Sequence, residues 1–178
     1  MDAAQLETPH LVLVGLMGAG KTTVGLRCAK RLDRPFVDTD DLVQTAAGMT
    51  VADLFALSGE GRFRALEREA VADACASPTP AVIACGGGAV LHADNRRRLK
   101  SCGFVVWLQA SPEVLADRVG RGVERAERPL LADGPMGTLE RLAAVRAGAY
   151  EAVADAMITT DRRSVEEVVD AVLEEYAP

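Results

Sequence analysis

The sequence has few aromatic residues, two histidines and no long apolar run. Phenylalanine, tryptophan and tyrosine make up 4% of its 178 residues. No stretch holds the roughly 18 consecutive apolar residues that a membrane-spanning helix needs. The first residues, "MDAAQLETPH", lack the cationic and apolar character of a secretion signal. We therefore expect a cytoplasmic protein that does not enter a membrane.

Excess basic charge is also missing. The formal net charge is −6 and the isoelectric point is about 5.0. Affinity for the phosphate backbone of a nucleic acid comes from clustered cations, so we expect no nucleic-acid partner. Any anionic ligand must instead be bound by a local group of arginines.

The cysteines form no recognisable motif. They include no C-x-x-C pair and no metal-like spacing with the two histidines. This pattern argues against the common zinc and redox motifs and indicates reduced thiols. The four residues are Cys28, Cys75, Cys85 and Cys102.

Short apolar runs alternate with helical stretches along the chain. Strands of a parallel sheet are buried on both faces and appear in sequence as continuous apolar runs, so this alternation predicts a parallel α/β sheet with helices on both faces. At this length we expect a single domain over 1–178. The apolar runs lie at 11–15, 81–86, 104–109 and 157–161, with a weaker run at 35–38.

A phosphate-binding loop follows the first apolar run. Gly15, Gly20, Lys21 and Thr22 match G-x-x-x-x-G-K-[ST] between that run and a helical stretch. The amides of such a loop turn toward phosphates, the helix N-terminus adds partial positive charge, and the threonine hydroxyl can bind Mg²⁺. The loop at 15–22 predicts nucleotide binding but leaves the acceptor open. The guanine-binding N-K-x-D motif is absent, which argues against a GTPase.

Asp38 and Asp40 follow the weak apolar run. If this segment is extended, the two carboxylates point the same way and Thr39 points the opposite way. One carboxylate would then lie near Mg²⁺, and the other would accept a hydrogen bond from the attacking hydroxyl. The alternative is a helix N-cap at Asp40 and Asp41, and for Asp40 both roles can coexist.

Two helical stretches carry a charge inside an apolar stripe. In the stretch 138–155 this charge is Arg146. In the stretch 62–76 it is Glu67, with Arg64 on its flank. A buried guanidinium is costly unless it is paired, so Arg146 implies a buried anion, either a protein carboxylate or a ligand. The alternative is an arginine whose stem packs while its head reaches water.

Two glycine-rich stretches are further candidates. The stretch 120–137 has no sustained hydrophobic period and contains three arginines, which predicts a mobile lid, with a tolerated insertion as the alternative. The run "GGG" at 86–88 follows a strand end, where ligands bind in open α/β sheets. Its amides could approach a substrate closely, although a plain turn would explain it equally well.

Taken together, these motifs resemble the shikimate kinases. The likeness extends from His10 to about Leu173, although "RAGAY" stands where that family often has R-x-P-x-Y. It rests on "GLMGAGKTTVG", "FVDTDDLV", "LFALSGEGRFRALE", "ACGGGAV", "RPLL" and "TTDRRS".

The resemblance implies both a fold and a reaction. The fold would be a three-layer P-loop kinase with a five-stranded parallel sheet in the order 2-3-1-4-5, and we expect a monomer. The reaction would transfer the γ-phosphoryl group of ATP to the 3-hydroxyl of shikimate in aromatic amino-acid biosynthesis. A kinase of another polyhydroxy acid, such as gluconate, or a non-catalytic shikimate and nucleotide sensor are the alternatives.

By position, the resemblance also implies roles for individual residues. The catalytic residues would be Lys21, Asp40 and Arg128, the last moving with the lid onto the transferring phosphate. Shikimate would be bound within about 38–76 and beyond it, by Asp40, Arg64, Gly86, Gly87, Gly88 and Arg146. ATP would be bound by Gly18, Ala19, Gly20, Lys21, Thr22, Thr23, Arg121, Arg128 and Arg163, with Arg121 and Arg163 flanking adenine. Mg²⁺ would be held by Thr22 and, through water, by Asp38.

Overall fold

A five-stranded parallel sheet forms the centre of the protein. The computed structural model describes residues 9–121 and 135–177. The strand order is β2-β3-β1-β4-β5, and every neighbouring pair is parallel. The predicted sheet and strand order are thereby confirmed. The strands are β1 (His10–Val14), β2 (Phe36–Asp38), β3 (Val82–Ala84), β4 (Gly103–Gln109) and β5 (Ala156–Thr159).

Helices cover both faces of this sheet. In the described part of the chain they are α1 (Lys21–Leu32), α2 (Thr39–Ala47), α3 (Val51–Cys75), α4 (Ala93–Cys102), α5 (Pro112–Arg121), α6 (Pro135–Val153) and α7 (Val165–Tyr176), with a 3₁₀ turn at Ala89–Leu91. The pair α1 and α7 packs together, and α3, α4 and α6 pack in succession. From β1 to β2 the chain moves toward one edge of the sheet, and from β2 onward it moves back toward the other edge. Because the crossovers are right-handed, this reversal places α1 and α7 on one face and α3, α4 and α6 on the other.

The carboxyl ends of three neighbouring strands are level with one another. Leu13 of β1 pairs with Ala84 of β3, and Ala84 pairs with Asp38 of β2. The phosphate loop, α2 and the run "GGG" therefore leave the sheet side by side. Ligands of open parallel sheets bind at this edge.

Helix starts follow the capping patterns of the sequence. Thr50 begins α3 by accepting a hydrogen bond from the amide of Asp53. Ser164 and Glu167 form a reciprocal capping box at the start of α7. These local contacts set where each helix begins and therefore how the following residues face the sheet.

Two boundaries differ from the expectation. β2 ends at Asp38 and α2 begins at Thr39, so residues 38–40 do not form one extended strand. The stretch 120–137 begins with the last residues of α5 and ends with the first residues of α6. Its other residues, and with them most of the predicted lid, lie outside the described residues.

Within 9–121 and 135–177, no single helix is both long and apolar enough to cross a bilayer. Only α2 and α3 counted together reach that length and composition, and they meet at a bend of 84°.

His10 is a buried titratable group at the start of β1. Its Nδ1 accepts a hydrogen bond from the amide of Ala81 at 3.0 Å. Burial lowers the pKa of the His10 imidazole below its usual value of 6.5, and the charge of Arg34 adds to this effect. The unfolded chain therefore takes up a proton near pH 6.5 while the folded protein does not. The stabilising effect of neutral His10 is present above that pH and is lost as the pH falls toward the lower folded pKa.

We predict that replacing His10 removes part of this acid sensitivity. His10→Asn keeps an acceptor near the position of Nδ1 but does not titrate. Its free energy of unfolding should decline less steeply than that of the wild type between pH 6.5 and about pH 5. Urea titrations across this range measure the difference, and the other titratable groups cancel because both proteins contain them. Parallel curves for the two proteins would contradict the prediction.

Candidate active site

One cavity of about 1130 Å³ opens at the carboxyl edge of the sheet. It exceeds the roughly 300–1,000 Å³ typical of a site for a single small ligand, so two substrates fit side by side. Most residues predicted from the sequence line it. They are Gly18, Ala19, Gly20, Lys21, Thr22, Thr23, Asp38, Asp40, Arg64, Gly86, Gly87, Gly88, Arg146 and Arg163.

The phosphate loop occupies one end of the cavity. Gly18 (φ 80°) and Gly20 (φ 95°) adopt left-handed backbone conformations that other residues rarely take. Gly20 is also the N-cap of α1, so the free amides of that helix point into the loop. Lys21 reaches across the loop and donates from Nζ to the carbonyl oxygens of Gly15 (2.8 Å) and Leu16 (3.0 Å). This geometry suits the binding of a polyphosphate.

Asp38 connects the phosphate loop to α2. Its Oδ2 accepts a hydrogen bond from Thr22 Oγ1 at 3.0 Å, and its Oδ1 accepts one from the amide of Asp40 at 3.0 Å. Asp38 is therefore the N-cap of α2, a role that the sequence analysis gave to Asp40 and Asp41. Burial raises the pKa of Asp38, although these two hydrogen bonds oppose the shift.

Thr39 lies in a helix and not in the extended segment that the sequence pattern predicts. It is the first residue of α2, and it does not line the cavity. Its side chain is fully buried, and its Oγ1 accepts a hydrogen bond from the amide of Gly86 at 2.9 Å. The hydroxyl thus fastens the start of α2 to the glycine run after β3.

Asp40 places a bare carboxylate oxygen against the glycine run. Its Oδ1 is buried and has no hydrogen-bond partner among the described residues. A methyl group on Gly86 would lie 2.5 Å from this oxygen, so any side chain there would displace the carboxylate. Burial raises the pKa of Asp40, and the nearby charge of Asp38 raises it further, while Lys21 opposes both. A carboxylate with a raised pKa and a free oxygen is suited to accept a proton.

Arg64 and Glu67 form a partly buried ion pair beside the same glycines. Arg64 Nη1 lies 2.7 Å from Glu67 Oε2, and its other nitrogens donate to Glu60 Oε1. Glu67 is 2% exposed, and burial raises its pKa while Arg64 opposes the shift. A methyl group on Gly88 would overlap Arg64 Nη1. The guanidinium is therefore held between a carboxylate and a bare stretch of backbone.

Arg146 is buried inside the apolar face of α6, as its sequence pattern predicts. It is 4% exposed. Its Nη1 donates to the carbonyl of Gly87 at 3.0 Å, and the Tyr150 hydroxyl donates to the same oxygen at 2.6 Å. Its Nε is buried and has no partner, and no carboxylate of the described residues forms an ion pair with it. The charge of Glu67 lies near enough to interact with Arg146 but does not pair with it directly, which leaves a ligand as the candidate for the direct partner.

At the nucleotide end, the structure adds an arginine that the sequence analysis missed. Arg118 of α5 lines the cavity and donates to Gly18 O (3.3 Å), Thr160 Oγ1 (2.8 Å) and Thr160 O (3.0 Å). It lies three residues after the buried Leu115, so the helical-wheel argument used for Arg146 could have found it.

The two predicted adenine-flanking arginines differ in position. Arg163 lines the cavity. Arg121 does not; its side chain is 81% exposed and pairs with Asp117 one helical turn earlier. Arg128 lies outside the described residues.

The metal ligands predicted from the sequence fit Mg²⁺ in kind and number. The described residues contain no group of three or more histidine, cysteine or carboxylate side chains that could enclose a metal. Mg²⁺ in phosphoryl-transfer sites is usually held by one or two protein oxygens together with water and substrate phosphates. The Thr22 hydroxyl and the Asp38 carboxylate, which touch each other at the phosphate loop, provide such oxygens.

Comparison with known sequences identifies the family. The family model for shikimate kinase matches residues 17–177. A shikimate kinase of Symbiobacterium thermophilum is 54% identical over 167 residues, which cover 93% of this chain and 94% of the relative.

Solved structures agree with the sequence comparison. A shikimate kinase from Acinetobacter baumannii, in complex with shikimate, superposes with a TM-score of 0.89 at 35% identity, covering 96% of this chain and 94% of that one. A gluconokinase from Sinorhizobium meliloti has a TM-score of 0.57 at 20% identity, covering 95% and 91%, which indicates a shared fold and no more. The family model, the close relatives and the cavity agree: the chain belongs to the shikimate kinase family.

Proposed function

We propose that this kinase transfers the γ-phosphoryl group of ATP to the 3-hydroxyl of shikimate with the residues described above. The observation that carries the assignment is Arg146, a buried cation with an unpartnered nitrogen in a cavity that also holds a phosphate loop. Burying such a cation is costly, and an anion that pairs with it directly offsets that cost. A carboxylated substrate supplies that anion next to the phosphate donor.

The acceptor half of the site matches the two kinds of polar group on shikimate. Arg64 and Arg146 would bind the carboxylate, because a guanidinium fits a carboxylate with two parallel hydrogen bonds. The backbone of Gly86, Gly87 and Gly88 would form the floor beneath the ring. Asp40 would hold the hydroxyl and accept its proton as the phosphoryl group is transferred.

The donor half would act by position and charge. Lys21 and the amides of 15–22 would bind the phosphates and stabilise negative charge as the phosphoryl group moves. Thr22 and Asp38 would hold Mg²⁺, which supplies further positive charge to the phosphate oxygens when bound. Arg163 would lie against adenine. The roles of Arg121 and Arg128 stay predictions from the sequence.

The organisation of the protein follows from the same site. We infer one catalytic domain over 1–178 that works as a monomer, because the two half-sites are built by residues of one chain. We place its activity in the cytoplasm, where ATP is available.

The central prediction concerns the acceptor. Purified protein with ATP and Mg²⁺ should release ADP when shikimate is supplied and should stay near background with gluconate. A coupled ADP assay run with both acids in parallel measures this. Binding of shikimate without ADP release would instead favour the non-catalytic sensor, and turnover with gluconate alone would favour the other kinase.

Gly88→Ala should weaken shikimate binding while leaving ATP binding intact. The added methyl overlaps Arg64 Nη1, and Arg64 can move because it is the end of a flexible side chain. The fold should survive, and the KM for shikimate should rise about tenfold or more, as expected for loss of one charged contact. Steady-state kinetics with each substrate varied in turn measure the two KM values.

Gly148→Ala is the matched control for this variant. It adds the same methyl to α6, close in sequence to Arg146, but nothing lies within 4 Å of that methyl. Its kinetics should equal those of the wild type. Equal KM values for shikimate in the Gly88→Ala and Gly148→Ala proteins would contradict the proposed position of the carboxylate.

The pH dependence of turnover should report Asp40. Because Asp40 must be ionised to accept a proton, and because its pKa is raised, kcat/KM should fall with decreasing pH at a midpoint above the usual aspartate value of 3.8. Asp40→Asn should lose about 10²–10⁴-fold in kcat and should lack this acidic limb. Rate profiles of both proteins check this, and an unchanged limb in Asp40→Asn would exclude Asp40 as the titrating group.

A further inference from the structure

Two thiols meet where α3 and α4 end. Cys75 is the last residue of α3 and Cys102 the last residue of α4. Their Sγ atoms lie 2.7 Å apart, although the residues are 27 positions apart in the sequence. The two helices pack against each other, so this contact belongs to a helix interface.

The pair differs from the other two cysteines in accessibility. Cys75 and Cys102 are partly exposed, whereas Cys28 and Cys85 are fully buried. None of the four is bonded to another in this structure. The pair packs against the edge of the core and is nearer to solvent than the other two thiols.

We propose that Cys75 and Cys102 are a reversible oxidation site that forms a disulfide between α3 and α4 on reaction with a low-molecular-weight disulfide such as oxidised glutathione. One cysteine thiolate attacks the reagent, forms a mixed disulfide and releases one glutathione thiol. The second cysteine attacks the mixed disulfide and releases the other. Two protein thiols are oxidised, one reagent disulfide is reduced to two thiols, and the two protons leave with them.

The contact between the sulfurs favours one thiolate in the pair. The interaction lowers the pKa of Cys102 and raises the pKa of Cys75, so one sulfur can ionise while the other keeps its proton. Thiolates are the nucleophiles of disulfide exchange, so the thiolate of the pair begins the reaction and its neighbour completes it. Because the two sulfurs already touch, formation of the internal disulfide competes effectively with the addition of a second glutathione.

The position of the pair implies that oxidation leaves catalysis intact. Neither cysteine lines the active-site cavity. Cys75 lies eleven residues beyond Arg64 on α3, about 16 Å along a helix axis. The disulfide would close a loop that contains β3 and Gly86–Gly88, restricting the unfolded chain without changing the site. The bond would thus protect these thiols from further oxidation while the enzyme keeps working.

The test uses the full chain treated with oxidised glutathione and compared with protein kept in a reducing agent. Intact mass spectrometry should show the loss of two hydrogen atoms and no bound glutathione, with the bridge mapped to Cys75 and Cys102 by peptide analysis. The melting temperature should rise by about 5–10 °C. The kcat/KM for the acceptor should change less than about twofold, which is close to the error of such a comparison.

Two variants separate the proposal from non-specific oxidation. Cys75→Ser should retain one glutathione on Cys102 and show no rise in melting temperature, and a reducing agent should reverse the adduct. Cys28→Ser should behave like the wild type. Glutathione bound separately to both cysteines, absence of reaction, or a bridge that abolishes turnover would each overturn the proposal. Because melting temperature and mass do not require turnover, failure of the kinase assignment would remain distinguishable.

Discussion

The arrangement of the site depends on keeping several charged side chains largely buried beside one another. Two arginines and two carboxylates surround the glycine run after β3, and only Arg64 and Glu67 pair directly. Within the described residues, Asp40, Glu67 and Arg146 each have one buried polar atom without a hydrogen-bond partner. In a protein interior such atoms are costly, so the fold stores an incomplete electrostatic network that a ligand of matching charge completes. The glycines belong to the same constraint, because a side chain at Gly86 or Gly88 would displace a charged group.

Much of this could be predicted from the sequence because it depends on regular patterns. Buried parallel strands give continuous apolar runs, and capping residues mark helix starts, so the strands and their parallel sheet could be predicted from these patterns. The strand order 2-3-1-4-5 came only from the family resemblance. Arg146 and Glu67 could be identified because each is a charged residue on the apolar face of its helix, where the helical period predicts an apolar side chain. The family resemblance then added roles that patterns alone leave open.

What could not be predicted depends on short elements and on contacts between distant segments. β2 has three residues, too few to show where a strand gives way to a helix, so Thr39 was assigned to the wrong local structure. Its contact with Gly86 joins segments 47 residues apart. The helical wheel places Arg118 beside the buried Leu115, but it does not show what Arg118 contacts. Its partner in the structure is Thr160, which lies 42 residues further along the chain.

A gluconokinase shares this fold. In the proposed site, acceptor choice would depend on a few side chains around the glycine run and not on the sheet. Lys21, Thr22 and Asp38 would serve the phosphate donor, and Arg64 and Arg146, which line the cavity from α3 and α6, would serve the acceptor.

The contact of Arg118 with both Gly18 and Thr160 has a consequence for how the protein is made. It joins the phosphate loop, near the first strand, to the segment that follows β5. A ribosome delivers residues from the N-terminus onward, so the loop emerges long before its partner does. The nucleotide end of the cavity is therefore complete only after β5 has paired with β4. A chain interrupted before that point carries the phosphate loop but not a finished ATP site.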